Sequence, residues 1–269
     1  AILGINKLVF RPKLIESGNY RFDSGTAGSN TLLLQTLIPA CLHGERESVI
    51  ETVGGTDTKW CPPSLYFTHV FGDFLKRMGV HAECTTERFG FYPKGGGKII
   101  CRVQPCKALK DIHFTERGKR KNIHLAAYAS TDLQTREVAE RLVSGFQSSF
   151  FFPLEIDKHY VSTSSPGCFV HARTEHEHYI IGADVLGEIG KRAEDVGEEC
   201  SEKMVQLLQN EGVDQHAADQ LLLYMGLKGK GEITVAKISD HVRTNIAVIE
   251  QFLPVTFEIE GTVIRCRKF

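Results

Sequence analysis

Apolar residues in this chain recur with two periods. In the first they return every three or four positions. Phe67, Val70, Phe71, Phe74, Leu75 and Met78 are the clearest case and predict one face of a helix. Pro62-Pro63-Ser64 opens it with Ser64 as N-cap, and Gly79 stops it. The same period predicts helices over Thr131–Phe150 (stripe Val138, Leu142, Phe146, Phe150), Glu194–Gln209, Val213–Leu227 and His241–Phe252. Asp132 and Arg136 would form an i,i+4 pair on the first of these. Leu32–Leu42 is an apolar run of helical length that Pro39 interrupts. In the second texture, apolar and polar residues alternate. It predicts strands at Leu8–Arg11, Asn19–Asp23, Glu47–Val53, His81–Glu87, Lys98–Val103, Ile123–Ala129, Leu154–Val161, Cys168–Thr174, His178–Gly182 and Glu232–Ala236. A hairpin, Val255–Glu258 and Thr262–Arg267, turns at Glu260-Gly261.

Strands and helices interleave in groups of similar size, which predicts an α+β or α/β protein of repeated units. The texture changes near His113. A charged connector, Arg117–Asn122, leads into a strand–helix–strand–strand–strand run ending near Cys200, the size of a small domain. A length of 269 residues suits one large domain or two modest ones. The net charge of -1 argues against a protein that grips long stretches of nucleic-acid backbone; any nucleic acid would be held locally, at an end. The eight cysteines form no C-x-x-C pair and read as reduced, mostly buried thiols of an intracellular protein, in cytoplasm or nucleus. No apolar run is long enough for a membrane span.

Several motifs carry candidate chemistry. Gly25-Thr26-Ala27-Gly28-Ser29, between a strand and a helix, would aim backbone N–H groups at an anion or simply form a tight turn. Lys94-Gly95-Gly96-Gly97-Lys98 is not a P-loop, because a strand follows it rather than a helix. His171, His176 and His178 suggest a metal, but zinc sites usually show further ligands at supportive spacing, and a solvated turn is the better reading, with His176-Glu177-His178 at a hairpin tip between two strands. Asp219-Gln220 precedes a core-like Leu221-Leu222-Leu223 and reads as solvent-facing, or else as part of a nucleotide site. His241 follows Ser239-Asp240 at a helix start. The positive end of a helix dipole disfavours a second positive charge, leaving a neutral and nucleophilic imidazole. Asn245, one turn on, would orient it.

The segments RFDSGTAGSNTLLLQTLIP, GGTDTKWCPP, GFYPKGGGK, HAADQLLLYMGL and SDHVRTNIAVIEQFLP, in this order, resemble the RNA 3′-terminal phosphate cyclase family. The resemblance runs over nearly the whole chain. It implies an α+β fold of repeated units, each a four-stranded sheet plus two helices, with a smaller inserted α/β domain. The main domain would take residues 1–112 and 201–269, and the insertion 113–200. The resemblance makes His241 the catalytic residue, accepting AMP from ATP. It carries nucleotide contacts to Gln35, Pro62, His216, Ala217, Ala218, Asp219 and Gln220, with Arg243 and Lys94 as nearby cations. ATP and a divalent metal (Mg or Mn) are the implied cofactors, and RNA with a 3′-phosphate end the implied partner; the metal ligands are not specified. Family members begin with a strand, a glycine-rich segment and an arginine-rich stretch. The chain, which starts strand-like at Ala1–Asn6, is therefore expected to begin near the end of the first unit. Two alternatives stand beside the cyclase: a non-catalytic relative acting in ribosomal RNA processing, which would lack His241, and an unrelated small-molecule transferase.

Overall fold

The computed structural model describes Arg11 and residues 13–269. The strand expected at Leu8–Arg11 lies, but for Arg11, outside the described residues, as does Ala1–Asn6; Arg11 itself is in no strand. Twelve strands are present among the described residues: β1 (Asn19–Asp23), β2 (Ser48–Gly54), β3 (Ala82–Arg88), β4 (Gly97–Val103), β5 (His113–Phe114), β6 (Arg120–Ser130), β7 (Glu155–Val161), β8 (Cys168–His176), β9 (Ile180–Leu186), β10 (Lys230–Thr234), β11 (Val255–Glu260) and β12 (Val263–Lys268). The α-helices are α1 (Asn30–Cys41), α2 (Gly72–Arg77), α3 (Val138–Ser149), α4 (Ala193–Gln209), α5 (Gln215–Lys228) and α6 (Asp240–Phe252).

These strands build three four-stranded mixed sheets, each flanked by helices: a repeated α+β architecture. The first sheet, ordered β1-β2-β4-β3, and the second, ordered β5-β10-β12-β11, share one topology. In each, the first strand runs parallel to the second, across a connection that includes a helix, and the remaining pairs are antiparallel. The repeat is therefore one of topology, with no matching residues to advertise it. The third sheet, ordered β7-β6-β8-β9, is wired differently and lies in the chain between β5 and α5.

Pattern and burial agree along most elements. Val138, Leu142, Phe146 and Phe150 are all buried, and with Val196, Cys200 and Met204 of α4 they cover one face of the third sheet. Successive side chains of a strand face opposite ways. Phe169 and His171 of β8 therefore point away from those helices, toward the rest of the protein. There Phe89, Phe91, Tyr128 and Phe169 form an aromatic seam, with Tyr128 and Phe169 stacked at 5.2 Å. Tyr179 and Ile181, flanking β9's start, join the main core with Phe67, Phe71 and Phe74. Each fully buried phenylalanine contributes about 2–3 kcal/mol of transfer free energy.

The structure departs from the sequence reading at several points. The helix at 64–77 is π-helical over Tyr66–Phe71 before α2. Ser64 does not cap it: Ser64 is helical and buried, and its N–H and hydroxyl both donate to Asp57. Pro39 does not break α1, because in the last turn it removes only one helical hydrogen bond. Thr131–Phe150 is not one helix. A 3₁₀ turn, Thr131–Arg136, ends at Glu137 with φ 50°, and α3 starts after it. Arg117 is no solvated connector. It is 5% exposed, and its guanidinium donates to the carbonyls of Gly212 (2.7 Å) and Leu207 (2.6 Å). Two of the cysteines are oxidised: Cys84 and Cys101, register partners on β3 and β4, form a disulfide.

Candidate functional site

The candidate residues gather at the N-terminal half of α5. Asp214 caps this helix, its Oδ1 accepting from the N–H groups of His216 and Ala217 at 3.0 Å. The same oxygen accepts from the Tyr66 hydroxyl at 2.5 Å. Tyr66 lies in the π-helical stretch, so that stretch and the start of α5 are fastened together. Burial raises the Asp214 carboxyl above the usual range, and the bond from Tyr66 opposes this. The edge of the Tyr66 ring meets His216 with centroids 5.8 Å apart.

Two pockets flank this helix end. The first, of about 290 Å³, is lined by Gln35 of α1, Asp219 and Gln220 of α5, and Asn245 of α6, over a floor that includes Phe71 and Tyr224. Asp219 Oδ1 and Gln220 Oε1 are both buried without a hydrogen-bond partner. Both residues are half-buried, so the solvent-facing reading holds for only part of each side chain. Orphaned acceptors in a pocket wall are costly unless something donates to them. Burial pushes the Asp219 carboxyl up; the nearby His241 and His216 rings and a hydrogen bond from Ser239 offset this. Asn245 reaches the Asp219 carbonyl at 3.4 Å rather than the ring of His241.

The second pocket, of about 360 Å³, holds Pro62 and His216, with Trp60 and Asp184 also in its wall. The carbonyl of Pro62 accepts from Thr31 of α1 at 2.7 Å, which fixes the turn that carries it. Behind the turn, Asp57 is 2% exposed and accepts from Thr56 and Ser64. Burial drives its carboxyl to about 6, against those hydrogen bonds.

His241 stands exposed in the first turn of α6, whose N-cap Ser239 accepts from the Val242 N–H at 3.1 Å. Its ring stands near enough to Asp219 to oppose the upward push of burial on that carboxyl, so the predicted nucleophile and the orphaned acceptors share one neighbourhood. Ala217 and Ala218 are fully buried, and their N–H groups are taken up by Asp214; their place is in the helix start, not in either pocket wall. Arg243 and Lys94 are both exposed. Gly25–Ser29 is a closed turn: Gly25 N–H donates to Asp23, Gly28 N–H to Thr26, and Ser29 caps α1. Lys98 is engaged by Glu51 and Glu87 at 3.0 Å each.

The expected turn at His176-Glu177-His178 is solvated only in part, and His171 lies inside β8. His171 is 0% exposed and His176 7%; only His178 is exposed. Sequence reasoning missed the carboxylate that pairs with His171. Asp184 is its register partner on β9, with Nδ1 and Oδ1 2.7 Å apart. The signal, a polar residue inside an apolar strand on each side of a hairpin, was present in the sequence. For the implied divalent ion, no group of three or more His, Cys, Asp or Glu side chains among the described residues forms a holding set.

No helix among the described residues is long and apolar enough to cross a membrane. The sequence model of RNA 3′-terminal phosphate cyclase matches residues 1–259, nearly the whole chain. This chain thus belongs to the RNA 3′-terminal phosphate cyclase family.

Proposed function

We propose that the protein is an ATP-dependent RNA 3′-phosphate cyclase that works through a histidine–AMP intermediate at His241. The observation that carries this reading is the position of His241, exposed at the capped start of α6 beside an α5 wall that bears orphaned acceptors. Family membership supports the reaction class. The two equivalent topological units would be the family's repeated units, and the segment expected at 113–200 its smaller inserted domain.

A phosphate oxygen is a poor leaving group, so the RNA end must first become an anhydride. In the first step an imidazole nitrogen of His241 attacks the α-phosphorus of ATP. A nitrogen–phosphorus bond forms, the bond to the β-phosphate oxygen breaks, and pyrophosphate leaves. An oxygen of the RNA 3′-phosphate then attacks the same phosphorus, releasing the imidazole and giving an RNA–pp–A end. Finally the adjacent 2′-OH loses its proton and attacks the RNA 3′-phosphorus. The 2′,3′-cyclic phosphate closes and AMP departs. Gln35, Asp219 and Gln220 on one side, with Pro62 and His216 on the other, would hold the nucleotide so that its α-phosphorus meets His241. An exposed helix start suits the nucleophile, because it must reach two successive partners, ATP and the RNA end.

The test is incubation with α-³²P-ATP and a divalent ion, followed by a denaturing gel, with His241→Ala alongside. Acid-labile, alkali-stable label on the wild type that is absent from the variant is the expected result. Label that persists in His241→Ala would overturn the assignment of the nucleophile. A folded wild type that never labels would favour the non-catalytic relative.

A further inference from the structure

The unit built on the third sheet carries a patch that the proposed chemistry does not use. It lies where β6 and β7 begin, and a cavity of about 380 Å³ opens there between Arg120, Lys121, Phe152, Pro153 and Glu155. The local structure explains its shape. The register of β6 on β8 slips by one residue between Arg120 and Ile123, so Lys121 and Asn122 stand in a bulge. A bulge re-aims the side chains around it. On the other side, three phenylalanines in a row take different places. Phe150 is buried in the core of the unit, and its ring meets that of Phe152 edge-on at 5.3 Å. Phe152 is 42% exposed and carries the Arg120 guanidinium 4.3 Å from its ring centre. Phe151, next to it, is 88% exposed. An exposed phenylalanine on its own signifies nothing. This one adjoins two exposed cations, Arg120 and Lys121, that form no ion pair among the described residues. The acid of the same wall, Glu155, is turned to His124 at 3.0 Å.

We propose that this patch is a docking site for single-stranded RNA, in which Phe151 and the Arg120–Phe152 pair stack on unpaired bases while Arg120 and Lys121 meet the phosphates. The inference rests on the RNA reading given above and names where the strand is held away from its reacting end. Two kinds of surface stand side by side here, flat faces and uncompensated positive charge. A single strand offers a match to both, because its bases are free to stack and its phosphates are charged. A duplex keeps its bases stacked on one another and can use only the charge. An acidic peptide likewise uses the charge and leaves the rings bare. The contact is short, one or two nucleotides, which agrees with a chain of net charge -1. Its place also fits. Arg117 is bonded to the Gly212 carbonyl, just ahead of the Asp214 cap of α5. Arg120 follows three positions later, and at no more than about 3.6 Å per residue its backbone lies within about 11 Å of that of Arg117. The patch is thus tied by a short length of chain to the helix start that carries the candidate nucleotide residues.

Fluorescence anisotropy reads this site without chemistry. The probe is a fluorescein-labelled oligoadenylate with a 3′-phosphate, single-stranded or paired with oligouridylate, in the absence of ATP. The wild type is expected to prefer the single strand. Phe151→Ala should weaken the single strand about 5- to 100-fold, the worth of one stacked base, and leave the duplex unchanged. Phe151→Tyr keeps the ring and should keep the affinity, which separates stacking from a loss of fold. Arg120→Ala combined with Lys121→Ala should flatten the dependence of log affinity on log salt by about 1.4, the share of two phosphate contacts. Single-strand affinity that Phe151→Ala does not move, or a salt slope that the double change does not move, would overturn the proposal. So would polyglutamate that displaces the strand from the wild type as readily as unlabelled RNA does, which would mark a surface for an acidic protein. The covalent reading fails separately. Single-strand binding of this pattern without AMP label on the wild type would leave the docking site standing and remove the histidine chemistry. AMP label with RNA affinity indifferent to these changes would do the reverse.

Discussion

Replacing Asp57 with asparagine tests how much of the stability depends on a carboxyl held in the wrong medium. Asp57 is 2% exposed, and its carboxyl stands at about 6 instead of 3.8, chiefly through burial. The folded state therefore binds a proton that the unfolded state has already released. Stability from this group is complete below about 3.8 and is lost as pH rises through about 6. The displacement of roughly two pH units, at 1.36 kcal/mol each, amounts to about 3 kcal/mol. Asparagine keeps the shape and one acceptor for the Ser64 N–H, and its amide can donate to the Thr56 hydroxyl. It removes the titration. Thermal melts of both proteins at pH 4, 5, 6 and 7 should show the wild type losing about 3 kcal/mol relative to Asp57→Asn across that range. At about 2–4 °C per kcal/mol for a chain of this size, the gap between the two melting temperatures should change by about 6–12 °C. Taking the difference between the proteins matters, because other groups slope the opposite way. His176, for example, is pushed down to about 4 by burial and by the charge of Arg117, and so favours the folded state as pH rises. Parallel curves for the two proteins would refute the reasoning.

Four further outcomes follow from the geometry. Tyr66→Phe removes the hydroxyl that donates to buried Asp214, and should cost about 2 kcal/mol in urea unfolding while impairing nucleotide binding through the start of α5. Arg117→Met deletes two charge-assisted bonds to the carbonyls of Leu207 and Gly212, and should lower stability by about 3 kcal/mol. Gly145→Ala places a Cβ 2.0 Å from the Glu194 carbonyl oxygen at the α3–α4 contact, and should cost about 3 kcal/mol, read by calorimetry. His241→Ala, at an exposed position, should leave the melting temperature within about 2 °C while abolishing AMP label.

Sequence alone located most elements because most are decided locally. The Ser239-Asp240 start of α6 and the α3 stripe need no knowledge of the rest of the chain. What stayed hidden depended on partners far away in sequence. Arg117 reads as one more basic residue in a charged run until the carbonyls of residues 207 and 212 close over it. His171 reads as one more residue of a predicted strand until β9 brings Asp184 alongside. Asp219 and Gln220 sit beside three leucines and read as the polar side of a helix; only the approach of α1 and α6 turns that side inward. The π-helical stretch keeps the hydrophobic spacing of an α-helix, so periodicity could not reveal it. The candidate nucleotide residues were legible through family resemblance.

The Arg117 guanidinium has a mechanical consequence. The chain leaves the second sheet at β5, builds the third, and returns to α5, and this one side chain grips the far end of that excursion at Leu207 and Gly212. The two crossings are thereby stapled side by side. Tension applied at the two chain ends would pass through the first and second sheets and bypass the third, which would bear load only after the staple opened. In an optical trap the first rip should release the host sheets, and a second, shorter rip of roughly 90 residues should follow, at about 3.3–3.6 Å for each residue freed. Arg117→Met should merge the two.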